Sequence, residues 1–435
     1  MSGRVGIPAV EVLAWGSTVG AVALDPATEF YAFEYAPEWI ATGRELAPLH
    51  LPSRPGTFVF PELSPVTFHR LPALLADALP DRFGNALVDA RLAEEGVGPD
   101  EITPLDRLAY AASRAMGALE FRPPRELSGQ DVTAIQLADL VLAARRTVAG
   151  DLTTPDGATD AIRQLIHVGT SAGGARAKAV VSFNPGTGQI RSGHAAHEPG
   201  FEPWLIKLDG VSGDPSREQA LGEGEQYTRI EYAYSLMARA AGIEMTECRL
   251  LPEGPRTHFM TRRFDRTDDG ARHHVQTLCA MAHLDFNLPA AHSYSQYLNT
   301  VDALGLGREA RAQAYRRVVF NVAAVNRDDH TKNLAFLLPE DGDWRLAPAY
   351  DVTHAHNPGG AWTRQHQMSV NGKRDGITLA DLEELGDRAK VPGYRAVIGE
   401  VLAAVDTWPA AAEEAGVSPA ALAAVAADLA AHRPT

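Results

Sequence analysis

The segment from Asn326 to Asn333 carries the side chains in this sequence that are best suited to chemistry. Its sequence is Asn326-Arg327-Asp328-Asp329-His330-Thr331-Lys332-Asn333, with two adjacent carboxylates, an imidazole, an ammonium group and two amides. An apolar stretch at helical spacing leads into it, and the apolar run 334–338 follows it as a strand pattern. So many polar groups between two buried elements predict a loop with a function.

Asn333 lies five residues after Asp328, and this spacing favours phosphoryl transfer. Protein kinases carry an Asp and an Asn at that separation in the catalytic loop, the Asp directed at the acceptor hydroxyl and the Asn at Mg²⁺. Asp329 competes for the role of base, but the spacing favours Asp328 and leaves Asp329 to structure the loop. Lys332 could neutralise phosphate charge or pair with Asp329. His330 is expected to be structural, because no second His lies at ligand spacing on one helix.

The periodicity of apolar residues predicts a helix that leads into this segment. Tyr315, Val318, Val319 and Val322 fall at i, i+3, i+4 and i+7, which predicts a buried amphipathic helix. Asp351, after a short hairpin downstream of the polar segment, stands where kinases place a second Mg²⁺ ligand. A cap or turn residue is the alternative for this Asp.

Elsewhere the chain predicts strands first and helices later. Residues 10–24 predict a hairpin that turns near Gly16-Ser17, and alternating apolar residues predict a strand at 31–35. The other predicted elements are helices at about 71–92, 133–149, 226–241 (stopped by Gly242) and from Ser418-Pro419 onward, and strands at 179–183, 203–208 and 258–264.

Two further features could bind phosphate. The glycine-rich run 169–178 can present backbone N–H groups to an anion, with an ordinary hairpin turn as the alternative. Lys207, in an otherwise apolar strand, could hold nucleotide phosphates or simply project to solvent. Glu231, and less well Glu225, could be its ion-pair partner from the next helix.

Composition narrows the class of protein. The chain has 435 residues with a formal net charge of −15, which argues against charge-driven binding of nucleic acid or an anionic membrane by the whole surface. Its two cysteines show no pairing pattern, and no apolar run is long enough for a membrane span. We therefore expect a cytoplasmic protein of two or three domains.

Taken together, these segments resemble the HipA family, the serine/threonine-kinase toxins of bacterial toxin–antitoxin modules. The resemblance covers nearly the whole chain, and its motifs are specific in combination. They are Phe33–Trp39, Leu79–Gly84, the phosphate loop Ser171–Lys178, Arg263-Phe264-Asp265-Arg266, Asp328-x-His330-x-Lys332-Asn333 and Tyr350-Asp351.

The resemblance implies an α+β, bilobal protein-kinase-like fold that binds ATP and Mg²⁺. Its implied parts are an N-terminal subdomain at 1–125, a β-rich region at 126–260 and a helical lobe at 261–435. It implies Asp328 as catalytic base, and Asn333 and Asp351 as metal ligands. Lys332 is predicted as a second catalytic residue, a cation on the phosphate side. The implied ATP-binding residues are Gly173, Gly174, Ala175, Arg176, Ala177, Lys178, Lys207, Arg262, Arg263, Phe264, His330, Thr331, Asn333 and Tyr350. Arg262 departs from relatives that carry a Glu near the adenine hinge.

The resemblance also implies partners and regulation. A HipB-like DNA-binding antitoxin would bind the chain and bring it to operator DNA, and the substrate would be a protein such as an aminoacyl-tRNA synthetase. Autophosphorylation would fall on Ser171, where the added charge should repel ATP and inactivate the enzyme. A catalytically inactive regulator on the same fold, or a kinase-like enzyme with a small-molecule or lipid substrate, remains the alternative.

Overall fold

The computed structural model describes residues 6–94, 96–124, 178–193, 197–211 and 226–435. The described residues form two compact units. The first is drawn from Met1–Gly213, Arg262–Gln276 and Leu337–Asp343, and the second from Asp214–Thr261, Thr277–Phe336 and Trp344–Thr435. The predicted helix at 133–149 lies outside the described residues, and the division into three parts stays a prediction.

Strands dominate the first half of the described chain and helices the second. The strands are β1 (Ala9–Ala14), β2 (Ser17–Leu24), β3 (Tyr31–Tyr35), β4 (Thr57–Phe58), β5 (Leu119–Arg122), β6 (Lys178–Phe183), β7 (Ile190–Ser192), β8 (Glu202–Lys207), β9 (Cys248–Glu253), β10 (Arg256–Arg262), β11 (His274–Thr277), β12 (His292–Ser293), β13 (Ala335–Leu338), β14 (Arg345–Leu346) and β15 (Met368–Ser369). The helices are α1 (Pro37–Thr42), α2 (Pro65–Phe68), α3 (Ala73–Ala76), α4 (Arg82–Glu94), α5 (Pro104–Ala111), α6 (Gln226–Ala240), α7 (Leu278–Met281), α8 (Tyr294–Ala303), α9 (Gly307–Ala323), α10 (Leu379–Arg388), α11 (Tyr394–Val405), α12 (Trp408–Glu414) and α13 (Pro419–Ala431).

The first unit contains an antiparallel sheet with the strand order β4-β3-β2-β1-β5. Its first hairpin turns at Trp15 and Gly16, both at positive φ, as a tight two-residue turn requires. Along β3, Tyr31, Phe33 and Tyr35 are buried while the residues between them are more exposed, so the alternation in the sequence does mark a half-buried strand.

A second group of strands in this unit places two lysines side by side. The order is β7-β6-β8, and β6 and β8 are antiparallel with Lys178 paired opposite Lys207. Apolar residues around them are buried, including Trp204 and Ile206, neither of which is exposed at all. Directly opposed residues of an antiparallel pair lie on one face of the sheet, so both lysine side chains project from the same face.

The first unit also has a buried ionic centre at Asp265. The carboxylate accepts hydrogen bonds from Arg263 Nε (2.9 Å), Arg266 Nη1 (2.7 Å) and the N–H of Gly117 (2.8 Å). Although burial works in the opposite direction, the two guanidinium groups lower the pKa of Asp265. Arg266 also donates to the Gly117 carbonyl (2.9 Å), so this centre joins segments about 150 residues apart.

The second unit is built around α9. Tyr315, Val318 and Val319 are fully buried, and the helix packs against α8 and α11. Its register is fixed by a hydrogen bond from the Tyr315 hydroxyl to the Leu382 carbonyl (2.6 Å). At the end of the chain Ser418 caps α13 by accepting from the N–H of Ala421 (3.3 Å).

Most of the predicted elements within the described ranges are confirmed. The hairpin at 10–24, the strand at 31–35, the helix that ends before Gly242 (φ 74°) and the helix leading into Asn326 are all present. The strand predicted at 258–264 instead ends at Arg262, where the chain turns into the Asp265 centre. In the part of the chain that the structure describes, no helix is both long and apolar enough to cross a membrane.

Candidate active site

The polar segment begins with a strained turn at the end of α9. Val325 is fully buried at a φ of 52°, a left-handed conformation that a β-branched residue rarely adopts. Asn326 then donates its backbone N–H to the Asn321 carbonyl and its Nδ2 to Asn321 Oδ1, both at 2.9 Å. The chain therefore leaves the helix at one fixed point, and the buried surroundings hold the strain.

The segment that follows Asp351 runs beside this turn. Ala355 donates its N–H to the Val325 carbonyl (3.2 Å) and accepts from the N–H of Arg327 (3.1 Å). The Arg327 side chain is buried, and its Nη2 donates to Asp375 Oδ1 at 2.8 Å. Backbone hydrogen bonds thus tie together the two segments that carry the predicted chemistry.

Both carboxylate oxygens of Asp329 accept hydrogen bonds from other groups of the protein. Its Oδ2 accepts from the Tyr294 hydroxyl (2.5 Å) and from His366 Nδ1 (2.9 Å), and its Oδ1 accepts from the N–H of Gln367 (2.7 Å). The carboxylate has no exposed surface. Burial, together with the adjacent Asp329 charge, raises the pKa of Tyr294, so the tyrosine stays a hydrogen-bond donor. These contacts support the interpretation of Asp329 as the residue that structures the loop.

Asp328 directly precedes Asp329, and its side chain is partly exposed to solvent. Its side chain is 30% exposed, and its Oδ1 accepts from Trp362 Nε1 at 2.9 Å. His330 Nε2 lies 3.9 Å from the same oxygen, beyond hydrogen-bond distance. A carboxylate that is oriented by one indole and open to solvent can reach an external hydroxyl, which its buried neighbour cannot do.

Asn333 and Tyr350 connect the polar segment to Asp351. Asn333 donates through Nδ2 to the backbone carbonyl of Asp328 (2.8 Å), so its Oδ1 is the amide atom that a cation could use. The Tyr350 hydroxyl donates to the Lys332 carbonyl at 2.5 Å. Asp351 itself has a φ of 54°, an uncommon conformation for a residue other than glycine.

A small cavity of about 20 Å³, roughly the space of one water molecule, lies at this junction. Its polar lining consists of Arg317, Asn321, Asn326, Asp329, Asn333, Tyr350 and Asp351. Among the described residues, Asn326 Oδ1 is buried with no hydrogen-bond partner. Carboxylate and amide oxygens are the ligands that Mg²⁺ takes. Asp351 and Asn333 supply them here, and the buried Asp329 charge offsets the guanidinium of Arg317, so this set of residues fits such a cation.

The three residues between Asp329 and Asn333 have separate surroundings. His330 is buried, its ring 5.6 Å from that of Phe286. Thr331 is also buried, and its hydroxyl donates to the Leu284 carbonyl at 2.7 Å. Lys332 places its ammonium group 4.7 Å from the centre of the Phe286 ring, a cation–π contact. The predicted nucleotide contacts of His330 and Thr331 stay predictions.

In the first unit, the paired lysines form a second candidate site. Lys178 and Lys207 are both buried, and Lys178 Nζ lies 3.3 Å from Asp81 Oδ2. Opposed like charges destabilise a strand pair, and a buried cation needs an anion close by. Two buried ammonium groups on one face of the sheet suit a site that receives phosphate oxygens.

The predicted hinge residues are held by acidic neighbours within the same unit. Arg263 is buried in its two-point pair with Asp265, and Arg262 Nη1 lies 3.6 Å from Glu202 Oε1. Arg262 also pairs with Asp268. Their predicted role in binding ATP, like that of Phe264, stays a prediction.

Several predicted site residues are not tested by these contacts. Ser171, Gly173, Gly174, Ala175, Arg176 and Ala177 lie outside the described residues. Glu231 is buried in α6, and its ion pair with Lys207 stays a prediction.

The structure adds residues that the sequence did not indicate. Trp362 and His366 orient Asp328 and Asp329 from 34 and 37 residues away, and Tyr294 does so from 35 residues upstream. Nothing in their local sequence marks them as partners of the loop, although the polar and aromatic run 362–367 is unusual between two helical regions.

Models of two protein domains match most of the chain. The model of the HipA N-terminal domain matches residues 10–122, and the model of the HipA-like C-terminal domain matches residues 170–415. The second match alone covers more than half of the chain. These two matches and the α+β fold define a HipA-type protein, and the chain belongs to the HipA family.

The individual proteins that resemble this chain share little sequence identity with it. A chain from the Shewanella oneidensis MR-1 toxin–antitoxin complex of HipA, HipB and operator DNA superposes with a TM-score of 0.66 at 15% identity, covering 97% of this chain and 96% of that one. This likeness confirms the predicted α+β fold. "Putative kinase Y4dM" of Sinorhizobium fredii is 26% identical over 225 residues, 45% of this chain and 49% of that protein. The chain thus spans about half the length of this curated relative.

Proposed function

We propose that the chain is an ATP- and Mg²⁺-dependent serine/threonine protein kinase that acts as the toxin of a toxin–antitoxin module. The observation that carries this proposal is the difference in burial and hydrogen bonding between two adjacent carboxylates. Asp329 is buried and accepts three hydrogen bonds, whereas Asp328 is 30% exposed and held by one indole. A loop that fixes one carboxylate in order to present the other suits a catalytic base.

Each remaining residue has a role that phosphoryl transfer requires. Asp328 would orient the acceptor hydroxyl and accept its proton. Asn333 and Asp351, which line one cavity, would hold the cation. Mg²⁺, when bound, supplies charge neutralisation for the transferred phosphoryl group. Lys178 and Lys207 would hold phosphate oxygens, since both are buried cations on one sheet face.

The partners follow from the family. Since the Shewanella chain was solved with HipB and operator DNA, we propose a HipB-like antitoxin that brings this chain to operator DNA. We propose a protein substrate that carries a reactive serine, such as an aminoacyl-tRNA synthetase, and autophosphorylation at Ser171.

Transfer of labelled phosphate from ATP tests the activity, with the intact mass of the chain measured before and after ATP and Mg²⁺. We expect wild type to gain phosphate and Asp328→Asn to lose transfer by roughly 10²–10⁴-fold, the usual contribution of a general base. Asp341→Asn is a matched control, because that carboxylate is 88% exposed on a hairpin. No transfer by wild type to itself or to added protein would contradict the proposal and favour an inactive regulator. Unchanged transfer by Asp328→Asn would remove Asp328 as the base.

A further inference from the structure

Three histidines of the second unit converge on a single aspartate, away from the polar loop. This histidine cluster consists of His354, His356, Asp428 and His432. Asp428 Oδ2 lies 2.8 Å from His354 Nε2 and 2.8 Å from His356 Nδ1, and Oδ1 lies 3.1 Å from His432 Nδ1. The rings of His356 and His432 are 4.8 Å apart, nearly perpendicular to each other.

Two different elements bring these groups together. Asp428 and His432 are four residues apart at the end of α13, so they lie on one side of the helix. His354 and His356 flank Ala355, whose N–H and carbonyl bond to the polar loop at Val325 and Arg327. The cluster therefore connects the last helix to the segment that pairs with the loop.

The exposure of the four side chains leaves room for an ion to enter. The side chains are between 7% and 27% exposed, with His432 the most open, which leaves a path for an ion.

We propose that His356 Nδ1, His432 Nδ1 and an Asp428 carboxylate oxygen bind a divalent transition-metal ion of the zinc class. One donor atom from each of these residues lies within 4.8 Å of the other two. Tetrahedral zinc at about 2.0–2.2 Å from each ligand sets the ligand atoms about 3.4 Å apart, so the contacts of 2.8 and 3.1 Å between Asp428 and the two rings would lengthen slightly. Each ring would then carry its proton on Nε2, and the ion would replace the hydrogen bonds of the two Nδ1 atoms to the Asp428 carboxylate and of His432 Nδ1 to the Asp428 carbonyl (2.9 Å). Two imidazoles and one carboxylate match zinc, whereas Mg²⁺ prefers oxygen ligands alone.

His354 would position the ligand set without joining it. It donates to the Asp428 carboxylate, and such bonds to ligating carboxylates orient the metal site. Its ring also packs on Tyr234, at 6.4 Å between ring centres. With three protein ligands, water would take the fourth position of the ion. The bound ion would fasten α13 to the segment of Ala355, and through it to the polar loop.

The test uses the full chain without a histidine tag, stripped of metal with a chelator. Co²⁺ reports on coordination through its visible absorption, and Zn²⁺ binding is measured by calorimetry. We expect one ion per chain for wild type. His432→Ala should weaken binding at least 100-fold, and His354→Ala by about 10- to 100-fold, the usual effect of a residue that supports a ligand. His50→Ala, an exposed histidine of the first unit, should bind as wild type.

Circular dichroism establishes that each variant is folded, and His432→Gln provides a polar replacement if the alanine variant is not. The proposal is overturned if wild type binds no more ion per chain than His432→Ala or His432→Gln. It is also overturned if His50→Ala lowers the affinity as much as they do. In either case the four residues form a hydrogen-bonded cluster only.

Discussion

Removal of one hydroxyl, by Tyr294→Phe, probes how firmly the buried aspartate of the loop is anchored. The hydroxyl donates to the Asp329 carboxylate at 2.5 Å and accepts from Asn321 Nδ2 at 3.0 Å. A hydrogen bond to a charged acceptor contributes about 1.5–3 kcal/mol, and an unsatisfied buried donor costs about 1–3 kcal/mol. Because the phenyl ring fills the same space, no cavity forms. We expect a loss of about 3–5 kcal/mol in the free energy of unfolding.

Urea-induced unfolding, followed by fluorescence and by circular dichroism, measures this loss. Tyr315→Phe is the matched control, since its buried hydroxyl donates to a neutral carbonyl, that of Leu382, at 2.6 Å. A neutral hydrogen bond contributes only about 0.5–1.5 kcal/mol. If Tyr294→Phe lost no more stability than Tyr315→Phe, the hydroxyl would not be anchoring a charged Asp329, and our account of the loop would be refuted.

Variants at three other positions test separate properties of the protein. Asp265→Asn should cost about 3–5 kcal/mol of unfolding free energy, because it leaves two buried guanidinium groups without their anion; a loss below 1 kcal/mol in urea unfolding would contradict this. Folding lowers the pKa of Asp428 to about 2 from an ordinary value near 3.9. The ionised carboxylate therefore adds its full stabilisation of the folded state at pH values above 3.9, and this stabilisation is lost as the pH falls toward 2. The stability difference between wild type and Asp428→Asn should therefore be larger at pH 7 than at pH 2.5, and an equal difference at both would exclude this linkage. Ser171→Asp should abolish ATP turnover through charge repulsion at the phosphate loop, whereas Ser171→Ala should retain it; full turnover by Ser171→Asp would show that the mechanism is wrong.

The sequence determined the local elements and the spacing of the loop residues. The period of Tyr315, Val318 and Val319 predicted the buried helix, and the alternation at 31–35 predicted the strand. These patterns can be recognised locally, because burial on one face repeats with the geometry of the element itself. The separation of Asp328 and Asn333 was equally visible, since both residues belong to one short loop.

Only the tertiary structure decided which of two adjacent carboxylates is buried. Asp328 and Asp329 differ in exposure because Tyr294, His366 and Gln367 converge on one of them from about 35 residues away on either side. The histidine cluster likewise depends on a contact between His356 and Asp428, 72 residues apart. Periodicity records which face of an element is buried but not which distant segment covers it, so these contacts become visible only once the chain is folded.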